Sequence, residues 1–347
     1  MRLLMRLLGL LLVLALVLVG VAFVLPDRVH VERSTTIARP QSQIYLLLSN
    51  LRRFNEWSPW HAKDPAARYT FSGPEQGIGA KLAWSSQQSG VGEGSQAITA
   101  LKPDESVSLL LDFGERGKSN ANFRLATVSG ETRVSWSLDS DLPLHLDSRF
   151  GWNVVGRYMG LFMDRLVGRD FETGLANLRE LADSFPNIDI AGIEPRLVEL
   201  PARKLTVVSL DVALQDEAAL KRSWDAALNQ LQRFHVQHKL GGETGAPLTL
   251  TRRRDAGQWS FDLALPAQYD LMPEDTAVRG MLLPAARAAQ LDHFGSLAER
   301  IKLVEKLQAW LAVKGLPAGE PVIEEYAPGN GPGRGEVRIS IPLQAQQ

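Results

Sequence analysis

Asn55-Glu56-Trp57-Ser58-Pro59-Trp60 places two tryptophans and a proline in one hexapeptide, directly after Leu51-Arg52-Arg53-Phe54. So much aromatic surface around a turn-forming proline reads as a loop that grips a ligand, wedges into a membrane or lids a core. The neighbouring segments narrow the choice. Upstream, Val29–Ala38 (VHVERSTTIA) alternates and is rich in β-branched residues, as a strand requires. Pro40 then opens a helix carrying Ile44, Leu47, Leu48 and Leu51 at helical spacing. Downstream, the turn-rich SGPEQGIGA leads into strands expected over 80–86, 94–101, 106–113 and 121–128. A fifth strand, Arg133–Leu138, puts Val134, Trp136 and Leu138 on one face by the two-residue period. A long helix around 158–184 follows, with an apolar stripe through Phe162, Leu166, Phe171, Leu175, Leu178 and Leu181. An early helix, a run of antiparallel strands and a long closing helix predict an α+β domain whose sheet wraps a helix. In that setting the hexapeptide closes one end of the enclosed space, with Trp57 and Trp60 as wall or lid.

The first segment fixes a different property. Leu7–Leu25 is an uninterrupted apolar run that spans roughly 28 Å as a helix, close to the hydrocarbon thickness of a bilayer. Arg2 and Arg6 precede it and Pro26-Asp27-Arg28 ends it, which predicts a cytoplasmic N-terminus and all later residues across the membrane, in the periplasm or its equivalent. A cleaved signal peptide is the rival, with Gly20-Val21-Ala22 as cleavage site, but the run exceeds the usual apolar core of such peptides. An uncleaved single-pass anchor over residues 1–26 is the expectation.

At 347 residues and 45% hydrophobic, the chain has length for two domains beyond the anchor. The expected division is 27–185, a linker at 186–192 (PNIDIAG within Pro186–Gly192) and 193–347. Formal net charge is −1, which gives no electrostatic ground for a nucleic-acid partner. The absence of cysteine excludes disulfides, thiolate catalysis and cysteine-ligated zinc.

The second half carries an internal repeat. One copy has a strand at 202–213, a helix at 217–239 with Leu220, Trp224, Ala227, Leu231 and Phe234 in phase, and strands at 248–254 and 258–266. The other has a strand at 285–293, a helix at 296–314 and strands at 320–327 and 335–342. Two β-α-β-β units predict a pseudo-twofold domain with a groove between them.

No nucleotide, nucleophile-elbow or zinc-protease motif is present, and no cofactor or metal is expected. His235 and His238 have metal-compatible spacing without a third ligand, and HVQHK reads as a solvated helix end. Arg252-Arg253-Arg254 alternates along a strand and reads as solvated rim charge. The aromatic residues are the positive signal: Trp57, Trp60, Trp84, Trp136 and Trp152 in the first domain, Trp224, Trp259 and Trp310 in the second. Core packing is the ordinary use of such residues, but Trp84 and Trp136 sit on alternating strands facing the concave side of the sheet, and Phe123 joins them as a candidate ligand contact. In Val322-Ile323-Glu324-Glu325-Tyr326, Glu324 and Tyr326 share a face, an arrangement suited to a cation or, with a raised pKa, to a general base; a rim glutamate in solvent is the plainer reading.

Residues 29–184 resemble the polyketide cyclase/START-like superfamily (SRPBCC) through the Pro40 helix, NEWSPW, GPEQGIGAKLAW and FRLATVSGETRVSWSL. The resemblance implies a helix-grip fold enclosing an apolar cavity. Residues 193–343 are similar to the gyrase-inhibitor-like effector-binding domain of bacterial transcription activators, through PARKLTVVSL, the Trp224 helix and EEYAPG…EVRISIPL. That likeness implies a groove for cationic and aromatic ligands lined by Glu324 and Tyr326. No DNA-binding helix-turn-helix precedes the domain here, which argues against a direct transcriptional role. The expectation is a membrane-anchored, non-enzymatic binder of small molecules or lipids: an apolar ligand in the first domain, an amphipathic or cationic one in the second. The alternatives are a hydrolase or cyclase using Glu324 as base, and an envelope factor that grips a protein partner of unknown identity.

Overall fold

The computed structural model describes residues 2–114, 117–142, 154–241, 245–255, 257–269, 275 and 277–344; Trp152 lies outside them. The chain is mixed α and β, with two antiparallel sheets. It divides into Met1–Asp189 and Ile190–Gln347.

The first unit begins with helix α1 (Arg2–Val24), whose stretch Leu3–Val24 is long and apolar enough to cross a membrane or to act as a signal sequence. Strand β1 (Arg28–Ile37) follows, then α2 (Gln41–Leu48), α3 (Pro59–Lys63), β2 (Arg68–Ser72), β3 (Lys81–Ser85), β4 (Glu93–Lys102), β5 (Ser106–Asp112), β6 (Lys118–Val128), β7 (Glu131–Asp141) and the long α4 (Val154–Asp183). The strands form one sheet in the order β1-β7-β6-β5-β4-β3-β2. A bulge between Ile98 and Ala100 in β4 adds curl to it.

Ser58 and Pro59 decide the local structure of the opening hexapeptide. Asn50 caps a 3-10 turn over Leu51–Glu56 by accepting from the Arg52 amide. Ser58 then caps α3 by accepting from the His61 amide, with Pro59 in the first helical position. The expected loop is therefore two short helical turns, with Trp57 between them. A Ser-Pro pair is a helix-start signal as well as a turn signal, and here the helix prevails.

Helix α4 is held along the sheet by an ion-pair fork. Arg33 on β1 reaches Asp164 (2.9 Å) and Glu172 (2.8 Å). In its C-terminal half Phe171, Leu175, Leu178 and Ala182 are buried at helical spacing. Gly174 makes the approach possible: a Cβ there would lie 2.8 Å from the Trp136 ring and 3.1 Å from Pro59. The segment after α4, expected as linker, is fixed at its start. Gln43 on α2 donates to the carbonyls of Pro186 (2.7 Å) and Ile188 (2.8 Å), and Ser42 bonds Asp189 (2.7 Å).

The second unit runs β8 (Arg196–Leu200), β9 (Arg203–Ala213), α5 (Glu217–His238), β10 (Leu248–Arg254), β11 (Gln258–Pro266), β12 (Arg279–Leu283), β13 (Ala286–Gly295), α6 (Leu297–Lys314), β14 (Val322–Tyr326) and β15 (Gly335–Pro342). Its sheet order is β12-β9-β11-β10-β14-β15-β13-β8. Trp224, Leu231, Trp259, Phe261, Leu307 and Ile339 contribute to one core beneath it. His235 corrects the solvated-end reading of HVQHK. It is fully buried, its Nδ1 donating to the Gly241 carbonyl and its Nε2 accepting from the Thr206 hydroxyl, both at 2.5 Å.

Gly174→Val is expected to destabilise the first unit by about 1–3 kcal/mol through overpacking against Trp136 and Pro59. A lowered urea midpoint at unchanged slope is the readout; an unchanged midpoint would show that α4 does not need this close approach.

Candidate functional site

Between the curled sheet and the N-terminal half of α4 lies a cavity of about 710 Å³. Its inner end is aromatic. Trp136 on β7 stacks on Phe171 of α4 at 3.9 Å and 8°, and the edges of Trp57 and Trp60 meet it, each at 5.7 Å. Phe123, directly opposite Trp136 on β6, completes the floor at 4.9 Å. Trp60 is fixed by donating its indole N–H to Asp170 (3.1 Å), whose other oxygen holds Lys63 (2.5 Å). Near the other end, Trp84 on β3 meets Phe113 edge-on at 6.0 Å. Its ring lies over Gly94, the cross-strand partner, where a Cβ would come within 2.7 Å.

Four of the aromatic residues expected from sequence therefore line the cavity: Trp60, Trp84, Phe123 and Trp136. Trp57 does not. It is 2% exposed and packs behind the wall between Phe54 and Phe123, so this half of the hexapeptide is core.

A polar row crosses the apolar wall, and no sequence motif announces it. Leu82, Gln96, Leu111, Ser119 and Ser140 are successive cross-strand partners from β3 to β7, and all five line the cavity. Ser119 and Ser140 satisfy each other at 2.9 Å. Among the described residues, the Gln96 amide nitrogen is buried without a hydrogen-bond partner. An unsatisfied buried donor costs about 1–3 kcal/mol, so its persistence between Leu82 and Leu111 is a feature that a ligand acceptor would relieve. Alternation along β4 gave the only signal for it: Gln96 shares the inward face with Ile98.

The second unit brings Trp224, Trp259, Glu324 and Tyr326 together, but closes around them. Glu324 is fully buried. One carboxylate oxygen meets Arg254 (2.6 Å); the other meets the Tyr326 hydroxyl (2.8 Å) and Arg300 (3.3 Å). Arg254 lies over the Trp259 ring at 4.3 Å, and Trp224 meets Tyr326 edge-on at 4.8 Å. Burial drives the Glu324 carboxyl up, but the two guanidiniums more than reverse it and leave the pKa below its ordinary value. The direction is opposite to that expected of a general base. Arg254 is likewise no solvated rim charge. A bulge between Thr251 and Arg253 changes the alternation of β10, turning Arg254 onto the face that Thr249 shares with its partner Glu324.

Two outcomes follow for this network. Glu324→Gln leaves two buried guanidiniums uncompensated and is expected to destabilise the second unit by about 3–5 kcal/mol. Urea unfolding checks it, and a change near zero would contradict the buried-pair account. The pH limits are also set. A carboxyl with a depressed folded pKa gives stability that is present above its ordinary value, 4.5, and lost as pH falls below it. Burial pushes the Tyr326 phenol far above its ordinary 10.0, so its contribution is lost as pH rises beyond that value. Thermal midpoints of the wild type between pH 3 and 11 should fall at both ends (about pH 4.5 and about pH 10).

Among solved structures, the chain is similar to Ara h 8.0201, at 14% identity over 45% of this chain and 99% of that one, with TM-score 0.33. It is also similar to protein Ms6760 from Mycobacterium smegmatis (14% identity, 45% and 92% covered, TM-score 0.32) and to Aha1 from Colwellia psychrerythraea (16%, 44% and 96%, TM-score 0.30). No curated protein matches the chain. Residues 28–183, a little under half of the chain, match the family described as polyketide cyclase / dehydrase and lipid transport.

Proposed function

We propose that the chain is a membrane-held binder of an apolar small molecule or lipid, lodged in the cavity of the first unit, with α1 as an uncleaved anchor and the folded units outside the cytoplasm. The cavity carries this reading: 710 Å³ lies within the range of ligand pockets, and its inner wall is built from Phe54, Trp60, Phe123, Trp136 and Phe171. The family match is consistent with it. Binding energy comes from desolvation, at about 0.8 kcal/mol per buried methylene. Gln96 adds selection for a ligand with a hydrogen-bond acceptor part-way along its length.

The second unit is read as a duplicated effector-binding-like unit. The core order β9-β11-β10-β14-β15-β13 supports this, because each half contributes its strands in mirrored sequence. The Glu324 site is filled internally by Arg254 and Arg300, so a cationic ligand there has to displace a guanidinium. No observation favours a hydrolase or cyclase over a binder.

Trp84→Ala is expected to weaken binding about tenfold, the loss of roughly 1.4 kcal/mol of aromatic contact. Gln96→Leu should remove the preference for a long-chain ester over the matching alkane while sparing alkane affinity. Both are read by calorimetric titration into the full chain held in amphipol, with protein-free amphipol as blank. Binding by neither molecule, in a folded wild-type chain, would overturn the cavity reading.

A further inference from the structure

The N-terminal half of α4 has two apolar faces. One, through Gly156, Gly160, Met163 and Val167, lines the cavity. The other points outward: Val155 is 73% exposed, Phe162 54% and Leu166 54%, and Met159, which also lines the cavity, sits where the two faces meet and completes the spacing i, i+4, i+7, i+11. A stripe of that regularity on an open helix face calls for an apolar partner.

The position of the stripe relative to α1 identifies the partner. Tyr158 donates its hydroxyl to the Leu18 carbonyl of α1 (2.8 Å), and Arg157 donates to the Leu25 carbonyl (2.6 Å). Leu18 lies six residues before the end of α1 at Val24, about 9 Å along the axis at 1.5 Å per residue. With Leu7–Leu25 filling the hydrocarbon, that carbonyl lies inside its outer edge, so Tyr158 carries the start of α4 into the bilayer beside α1. The same end of the sheet is tied to the anchor's exit: Leu142 donates its amide to the Asp27 carbonyl (2.9 Å) and Arg28 pairs with Asp141 (3.2 Å). Asp141, Leu142 and Gly156 also line the cavity.

We propose that the outward face of α4 at Val155, Phe162 and Leu166 lies in the bilayer beside α1, so that this end of the cavity meets the lipid phase. The inference rests on α1 being an anchor. Burial of the stripe against hydrocarbon replaces exposure to water, and the ligand passes between bilayer and cavity without crossing solvent.

The chain has no cysteine, so a single introduced thiol is labelled without background. Three full-length variants, Val13→Cys, Phe162→Cys and Val128→Cys, are labelled with the fluorophore NBD and placed in phosphatidylcholine vesicles containing doxyl-labelled lipid. Val128 is the exposed control at the end of β6, on the hairpin about 33 Å of strand away from Asp141. The expected result is quenching at 162 comparable to that at 13, and none at 128. Quenching at 13 without quenching at 162 overturns the inference and leaves the anchor intact. Absence of quenching at 13 overturns the anchor and the inference with it. Oxidative cross-linking of unlabelled Phe162→Cys into dimers, with position 162 unquenched, assigns the stripe to a second copy instead.

Discussion

Trp136 lying flat on Phe171, at 3.9 Å and 8°, is the contact on which the first unit depends. It joins β7, the neighbour of the edge strand β1, to the middle of α4, and Gly174 lets the helix come close enough for it. Beyond it, toward the C-terminus, α4 packs directly on the sheet. Before it, toward the N-terminus, the helix stands off and the cavity opens. The opening hexapeptide is organised around the same contact: Pro59 packs at Gly174, and the rings of Trp57 and Trp60 both meet Trp136 edge-on. Two capped helical turns place these rings more rigidly than a loop would.

Much of this was legible in the sequence, and the missed strands have a common cause. Strands with two neighbours carry strong alternation, as RVSWSL does, and were expected where they occur. The strands beyond expectation, β2, β8 and β12, are each five residues long and each lie at a sheet edge. An edge strand is paired on one side and largely exposed, so its pattern is weak. The cavity wall was legible through Trp84, Phe123 and Trp136 because the two-residue period assigns their face. Gln96 was not, because a lone glutamine on a strand acquires meaning only from the leucines on either side of it across the sheet.

Glu324 shows the opposite failure. Its face and its neighbour Tyr326 were read correctly from the period of two. Its electrostatics were not, because both guanidiniums come from elsewhere: Arg300 from the first turn of α6, and Arg254 through a bulge that reverses the alternation of β10. A one-residue irregularity converts an expected surface charge into the buried partner of the carboxylate. The site that looked open to cations is closed by the chain's own.

The central claim is that the first unit holds an apolar molecule in the chain's native membrane setting. Native mass spectrometry of the full chain extracted from membranes tests it most directly, because one spectrum reports the intact N-terminus and any retained ligand. The account predicts a species with Met1 and α1 present, carrying one apolar molecule that is lost when Ala121→Trp fills the cavity. A folded chain whose mass is that of the bare polypeptide, in wild type and variant alike, would contradict it.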